Sequence, residues 1–431
     1  MTKRFFPNNL AQKRSCCKSL VFLLLVLLLP GVSLFAYDWG LLADQTAAIA
    51  DTAGNLDNTM DGFSYTGTLT PWVSIPFGSP GDSHGNLYLS AGITVEYQRV
   101  DTIFIPELLR TELSYRFGEG TELHAGRMIY TDPLGFIADG LFDGAQVTMG
   151  LGGFGNLGIG AWYTGFLYKN TARITMTEAD LTTYYLPLDY DKFADTYFAP
   201  RRILAAIDWE KPGLSEKFRL KGFIIGQFDL SGNDETYHSQ YLGAKFIYPI
   251  NSFIFDLGVC MELAEHKTAG ETKTLFSFAG EAGISWLLPT KVQDRLTLTG
   301  RFSSGTPDKE DSSFAAFIPI TTQYQGDILR AKLSGLSMIR MEYSIRPAES
   351  LIVNLADSYF ILSDLGTYAN HLGAKDGHFL GNEISGSVIW FPFSDLQLNL
   401  LGGVFLPSWG NALKDSNAQW RIELNAKLAI F

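Results

Sequence analysis

From about Gly62 to Phe431 the chain alternates apolar and polar side chains with a period of two. Its last segment, Gln419–Phe431, places Trp420, Ile422, Leu424, Ala426, Leu428 and Ile430 on one face, and Arg421, Glu423, Asn425 and Lys427 on the other. Lys273–Leu287, Leu336–Arg346 and Asp395–Leu406 repeat the pattern. A two-residue period describes a strand with one face in an apolar medium and the other in water. Segments of ten or more residues suit a tilted strand that crosses a bilayer, which needs about 9–11, better than an average soluble strand of about 5–6. No later segment is long and apolar enough for a membrane helix. The expected fold is therefore all-β: a closed antiparallel transmembrane β-barrel with apolar faces toward lipid and polar faces toward a lumen. A soluble β-sandwich or β-helix array is the alternative that strand length disfavours.

The connections alternate in length. Tight turns fall at Gly118–Gly120, Gly152–Asn156, Lys211–Glu216, Pro249–Ser252, Pro289–Asp294, Pro347–Ser350 and Phe393–Asp395. Longer segments lie between them, among them Thr131–Phe142, Lys169–Pro200, Glu265–Thr272, Thr306–Gly335 and Ser363–Leu380. Short turns belong on the periplasmic side and long loops outside. About 17 strands are countable, and bacterial single-chain barrels have even numbers. An 18-stranded barrel, with an additional strand inside the N-terminal segment 37–62, is expected ahead of a 16-stranded one; the alternative for that segment is a periplasmic or plugging piece, and residues 63–431 form the barrel proper.

The chain's ends carry two further signals. Lys3, Arg4, Lys13, Arg14 and Lys18 precede an apolar run from Leu20 to Leu29 and small residues up to Ala36, the order of a secretory signal peptide over residues 1–36. Removing those residues takes away five basic groups and no acids, so the formal charge moves from -12 to -17. That balance disfavours nucleic-acid binding. Cys260 alone remains, so no internal disulfide forms in the mature chain. The final amphipathic strand with its terminal Phe431 resembles the last strand of outer-membrane barrels, which their assembly machinery reads. Phe431 itself falls on the polar face, so a register break at the tip is expected.

Motif chemistry adds little. Gly150–Gly155 matches a dinucleotide glycine pattern by letters but sits between two alternating segments, so it reads as a hairpin turn. There is no nucleophile elbow and no paired His at metal spacing, and His371 and His378 read as solvated loop residues. No cofactor and no catalysis are expected. The polar faces, in contrast, collect basic and acidic residues in near balance, although the chain is acidic. Cationic groups in a wet pore favour anions, and Arg219, Arg301, Arg340, Arg346, Glu281, Glu342 and Glu383 are the pore-lining candidates; in the alternative reading the arginines pair with these acids across the wall and only brace it.

Gly126-Arg127, then Phe142-Asp143-Gly144-Ala145 on the next strand, and Gly381-Asn382-Glu383 opening a late strand resemble the alginate-export family of outer-membrane porins. The resemblance implies an 18-stranded barrel with an arginine-rich lumen that passes an acidic polysaccharide, and it makes Arg127 a lumen residue. The near balance of acids and bases departs from that pattern. The expected function is a porin-like channel in the outer membrane for passive diffusion of small hydrophilic solutes, anions or sugars. A surface adhesin or ligand-binding barrel and, behind it, an outer-membrane barrel enzyme are the alternatives. Expected partners are outer-membrane lipid, the barrel-assembly machinery through residues 419–431, and a small hydrophilic solute.

Overall fold

The computed structural model describes residues 37–51, 62–78, 83–98, 101–213, 217–306, 313–364, 377–413 and 416–431. The expected signal peptide 1–36, His371 and the acidic run 308–311 lie outside them. The strands, in chain order, are β1 (Asp38–Asp51), β2 (Gly62–Gly78), β3 (Ser83–Gln98), β4 (Asp101–Phe117), β5 (Thr121–Thr131), β6 (Asp139–Gly150), β7 (Asn156–Tyr163), β8 (Arg202–Pro212), β9 (Arg219–Asp229), β10 (Thr236–Ile250), β11 (Phe253–Thr268), β12 (Glu271–Leu287), β13 (Arg295–Ser303), β14 (Tyr324–Gln325), β15 (Ala331–Lys332), β16 (Leu336–Ala348), β17 (Leu351–Leu362), β18 (Phe379–Phe393), β19 (Leu396–Leu406) and β20 (Gln419–Ile430). The two-residue strands β14 and β15 pair with each other inside a loop. The other strands form one 18-stranded sheet that closes where β1 meets β20, from Leu41↔Ile430 to Asp51↔Trp420. Closure removes the two end edges of the sheet, which a membrane interior demands.

The side-chain period shows which face meets lipid. On β11, Val259, Met261 and Leu263 are about half exposed, while Gly258, Cys260, Glu262 and Ala264 are buried. Apolar residues outside and polar or small ones inside are the reverse of a soluble protein, and the pattern holds around the sheet. Exposed aromatics gather near the strand ends: Trp39, Phe117, Phe253, Trp286, Trp390 and Phe393 at one end, Phe63, Phe104, Phe228, Phe302, Phe379 and Trp420 at the other. These are the two girdles of a membrane barrel. Val259→Arg is expected to destabilise the barrel by about 2–4 kcal/mol, the cost of a charge near the bilayer midplane. Thr68→Arg, on the inner face beside Thr94, is expected to change little. Urea titration of folding into lipid vesicles reads both.

Two local features differ from the sequence reading. Glu265–Thr272 is no loop: β11 and β12 run on to a two-residue turn at Ala269 and Gly270, with φ of +51° and +86°. Positive φ at both positions is what a type I′ hairpin turn requires. The alternation fades there because a strand that rises above the membrane has water on both faces. At the other end, Phe431 lies past the last ladder residue of β20, with its ring 5.9 Å edge-on from Trp72.

Candidate functional site

Three connections fold into the barrel. Residues 132–138 follow β5, residues 164–201 follow β7, and residues 304–306 and 313–335 follow β13. The second contains helices α1 (Lys169–Ala172), α2 (Glu178–Tyr185) and α3 (Phe193–Tyr197). Leu134, Phe136, Ile137, Leu167, Ile174, Met176, Phe317 and Ile320 from these loops share one buried cluster with the inward-facing Tyr130, Phe142, Trp162, Leu204, Phe223, Tyr241 and Cys260. Gly258 gives room for the approach, since a Cβ there would lie 2.5 Å from the Leu134 side chain. The loops also join one another. Thr321 N donates to Ile137 O at 3.1 Å, Thr322 N donates to Arg173 O at 2.8 Å, and the hydroxyls of Thr175 and Thr322 lie 2.7 Å apart.

Buried charges anchor each loop to itself or to the wall. Asp132 accepts from the backbone N–H groups of Leu134, Gly135, Ile137 and Ala138 at 2.8–3.0 Å, which fixes the first loop. Arg202, fully buried at the start of β8, reaches Asp180 at 2.5 Å, Asp229 at 3.2 Å and the Tyr237 carbonyl at 3.1 Å. Asp180 is also the N3 residue of the α2 capping box with Thr177. Burial lifts the Asp180 carboxyl above the usual range, and Arg202 pulls it back. In α1, burial pushes the Lys169 ammonium down to about 8. Glu262 on β11 receives Tyr237 Oη at 2.8 Å, the Ser277 hydroxyl and Ile318 N at 3.0 Å, so it holds the third loop. Glu383 on β18 receives Asp327 N, Ile328 N and Leu329 N at 2.7–3.1 Å and holds the same loop further along.

Where this loop tip meets the wall, charged groups surround a cavity of about 600 Å³, whose lining includes Lys245, Asp256, Glu281, Arg295, Arg301, Asp327 and Arg340. Arg301 donates from Nε to Glu281 at 2.9 Å and from Nη1 to Gln325 Oε1 at 2.6 Å, and its guanidinium lies 5.3 Å from the Phe136 ring centre. Arg340 reaches Asp327 and Glu342 at 3.1 Å each, and Asp327 also accepts from Ser385 Oγ at 2.6 Å. These pairs are partly exposed, so their charges still act on a solute. A second cavity of about 690 Å³ has a milder lining that includes Thr46, Thr66, Thr68, Thr70, Asp44, Asn425 and Lys427.

The sequence candidates thus separate. Arg301, Glu281, Arg340 and Glu342 come together around the charged cavity. Arg219 and Arg346 sit at the short-turn ends of β9 and β16, both exposed, with Arg346 donating to the Glu349 carbonyl. Glu383 is not pore-lining: its carboxylate is fully buried under the loop it binds. Arg127 is not a lumen residue either. It shares its face with Ile129, which is 59% exposed to lipid, while the flanking Met128 and Tyr130 are buried inside. Its fork closes on Asp143 with two bonds of 2.8 Å, so two of the family-like motifs form one ion pair within the wall. Asp327, Gln325 and Phe136 were missed, because loop residues carry no periodic signal. His378 bonds the Leu362 carbonyl at 2.9 Å.

No family model and no curated protein matches the chain. Solved structures do. Pseudomonas aeruginosa OccK2 (OpdF) in complex with glucuronate is 13% identical, with a TM-score of 0.60 over 91% of this chain and 98% of that one. Pseudomonas aeruginosa OpdK with vanillate is 10% identical, with a TM-score of 0.59 over the same shares. The outer membrane protein opdK from Pseudomonas aeruginosa, in another crystal structure, is 11% identical, with a TM-score of 0.56. At these identities the likeness establishes the fold, a membrane-type barrel along nearly the whole chain.

Proposed function

We propose that this chain is an outer-membrane channel for passive diffusion of small hydrophilic solutes, with anions and sugars favoured. The observation that carries the reading is the charged cavity where an anchored loop narrows an 18-stranded lumen. A barrel of this size leaves an aqueous passage unless something fills it. Here the filling is partial and ends in partly exposed guanidinium groups, whose planar forks suit carboxylates. The similar structures with glucuronate and vanillate, both carboxylates, support that solute class. Catalysis is not part of the proposal. Much of loop 164–201 and of the segment 316–335 packs into the lumen or onto the wall, which supports a channel over an adhesin. The alginate-like motifs include an ion pair within the wall, so a small solute rather than a polysaccharide is the proposed cargo. In the cell the partners would be outer-membrane lipid and, through residues 419–431, the barrel-assembly machinery.

The test is ion selectivity. Arg301→Ser with Arg340→Ser leaves Glu281, Asp327 and Glu342 without their guanidinium partners. The reversal potential in a salt gradient is expected to move toward cation preference while the heat-modifiable barrel persists. An unchanged reversal potential would make these arginines braces of the wall and remove the basis for anion preference.

A further inference from the structure

The wall is not equally tall all the way round. Strand β4 has 17 residues and its neighbour β5 has 11. Their ladder begins at Phe117↔Thr121 and ends at Thr111↔Arg127, so among the described residues the upper half of β4 has no strand on that side. The gap lies within the lipid-facing band, because Phe104, Leu108, Ile129 and Phe166 around it are 50–61% exposed. A bare edge in lipid is costly, and here side chains cover it. The Tyr190 hydroxyl meets both Phe104 N, at 3.2 Å, and Phe104 O; Tyr197 Oη donates to Pro106 O at 2.7 Å; Arg127 Nη1 donates to Leu108 O at 2.5 Å. Pro106 itself has no N–H to leave bare. The similar step from β12 to the shorter β13 is closed differently. There the chain adds backbone pairing, with Phe276 N to Ser313 O at 2.7 Å and Ala315 N to Phe276 O at 3.0 Å. The β4–β5 seam is therefore held by side chains where its counterpart is held by backbone.

Charge also runs through this seam. Arg127 sits in it, 5% exposed, bound to Asp143 and to the Phe166 carbonyl at 3.0 Å. Behind it, on the lumen side of β4, the buried Glu107 accepts from Thr171 Oγ1 at 2.9 Å through one oxygen, and its other oxygen has no partner. A line of polar groups thus crosses a wall that is apolar on its outer face. Its outer mouth is lined by four exposed apolar side chains.

We propose that the β4–β5 seam is a lateral port, through which a single-chain amphiphile with an anionic headgroup passes between the outer leaflet and the lumen. The Tyr190–Tyr197 stretch is its cover and Arg127 the cation that receives the headgroup. The apolar mouth takes the tail. The Arg127 fork, now closed on Asp143, matches a carboxylate with two hydrogen bonds. The port does not depend on the diffusion reading.

The test uses the full chain refolded in lipid vesicles with a photoreactive dodecanoate, and the attachment sites are mapped by mass spectrometry. Label is expected on the mouth residues and also on lumen-side peptides that contain Glu107 or Tyr168. Tyr190→Phe with Tyr197→Phe keeps the rings and removes their bonds to β4. Lumen-side label should then rise about thirtyfold, the population shift from losing two hydroxyls at about 1 kcal/mol of net hydrogen bonding each. The matching photoreactive dodecanol should label the lumen side less than the dodecanoate does, which tests Arg127 without a variant that has to fold. Label confined to outward residues in both proteins, or equal lumen label from the alcohol and the acid, overturns the port. A barrel that conducts but takes no lumen-side label from lipid loses the port and keeps the channel.

Discussion

Replacing Arg202 by methionine is expected to raise single-channel conductance severalfold while the barrel still folds. Arg202 holds Asp180 of the loop and Asp229 of the wall together in a fully buried site. Removing one partner of a buried ion pair costs about 3–5 kcal/mol, because it strands the remaining charge. The wall cannot relieve that cost without breaking its ladder, whereas the loop can leave. The α2 capping box of Thr177 and Asp180 lies wholly inside the loop, so it can leave with the loop intact. The 164–201 loop should then leave the lumen and become open to external protease. Unchanged conductance together with a protected loop would show that packing of Leu167, Ile174 and Met176 is sufficient to hold it.

The second large effect is expected at Glu383. Glu383→Ala deprives three backbone N–H groups, those of Asp327, Ile328 and Leu329, of their acceptor in a buried site. Each stranded donor costs about 1–3 kcal/mol, so the loop tip loses about 3 kcal/mol or more. Asp327 and Gln325 leave Arg340 and Arg301 when the tip moves. Channel noise should rise, and anion preference should strengthen, because one lumen carboxylate has withdrawn from its arginine. Glu342→Ala is the contrast: it removes an acid from Arg340 without touching the loop anchor, so it should shift selectivity in the same direction with quiet current. Equal noise in the two variants would sink the assignment of Glu383 as the anchor.

The barrel was legible in the sequence because a membrane enforces the two-residue period on every strand. Leu424 and Ile422 must face lipid while Glu423 and Asn425 face water, so their order alone reveals the strand. The strand count was legible for a related reason, since an even number is needed for β1 to begin on the side where β20 ends. Segment 37–62 was harder to read: β1 alternates Ala43, Ala47 and Ile49 with Asp44, Thr46 and Ala48, a weak contrast between small side chains. The β11–β12 hairpin was misread where it leaves the membrane and the period loses its cause. At the site, phase placed Arg301, Arg340, Glu281 and Glu342 correctly on the inner face. Phase cannot say what lies over a residue, so Glu383 looked like a pore wall although a loop covers it. Arg127 was assigned inward by likeness to short motifs, whereas its own neighbours, buried Met128 and Tyr130 against exposed Ile129, place it outward. Asp327 and Phe136 had no signal at all, because in-folded loops obey packing and not periodicity.

On the proposed function, the in-folded loops narrow the lumen of a conducting barrel without sealing it. Single-channel current from the refolded chain 37–431 in a planar bilayer tests this. Discrete, small conductance steps that grow severalfold in Arg202→Met are expected. A folded, heat-modifiable barrel that gives no steps, and still gives none when Arg202 or Glu383 is replaced, would contradict it.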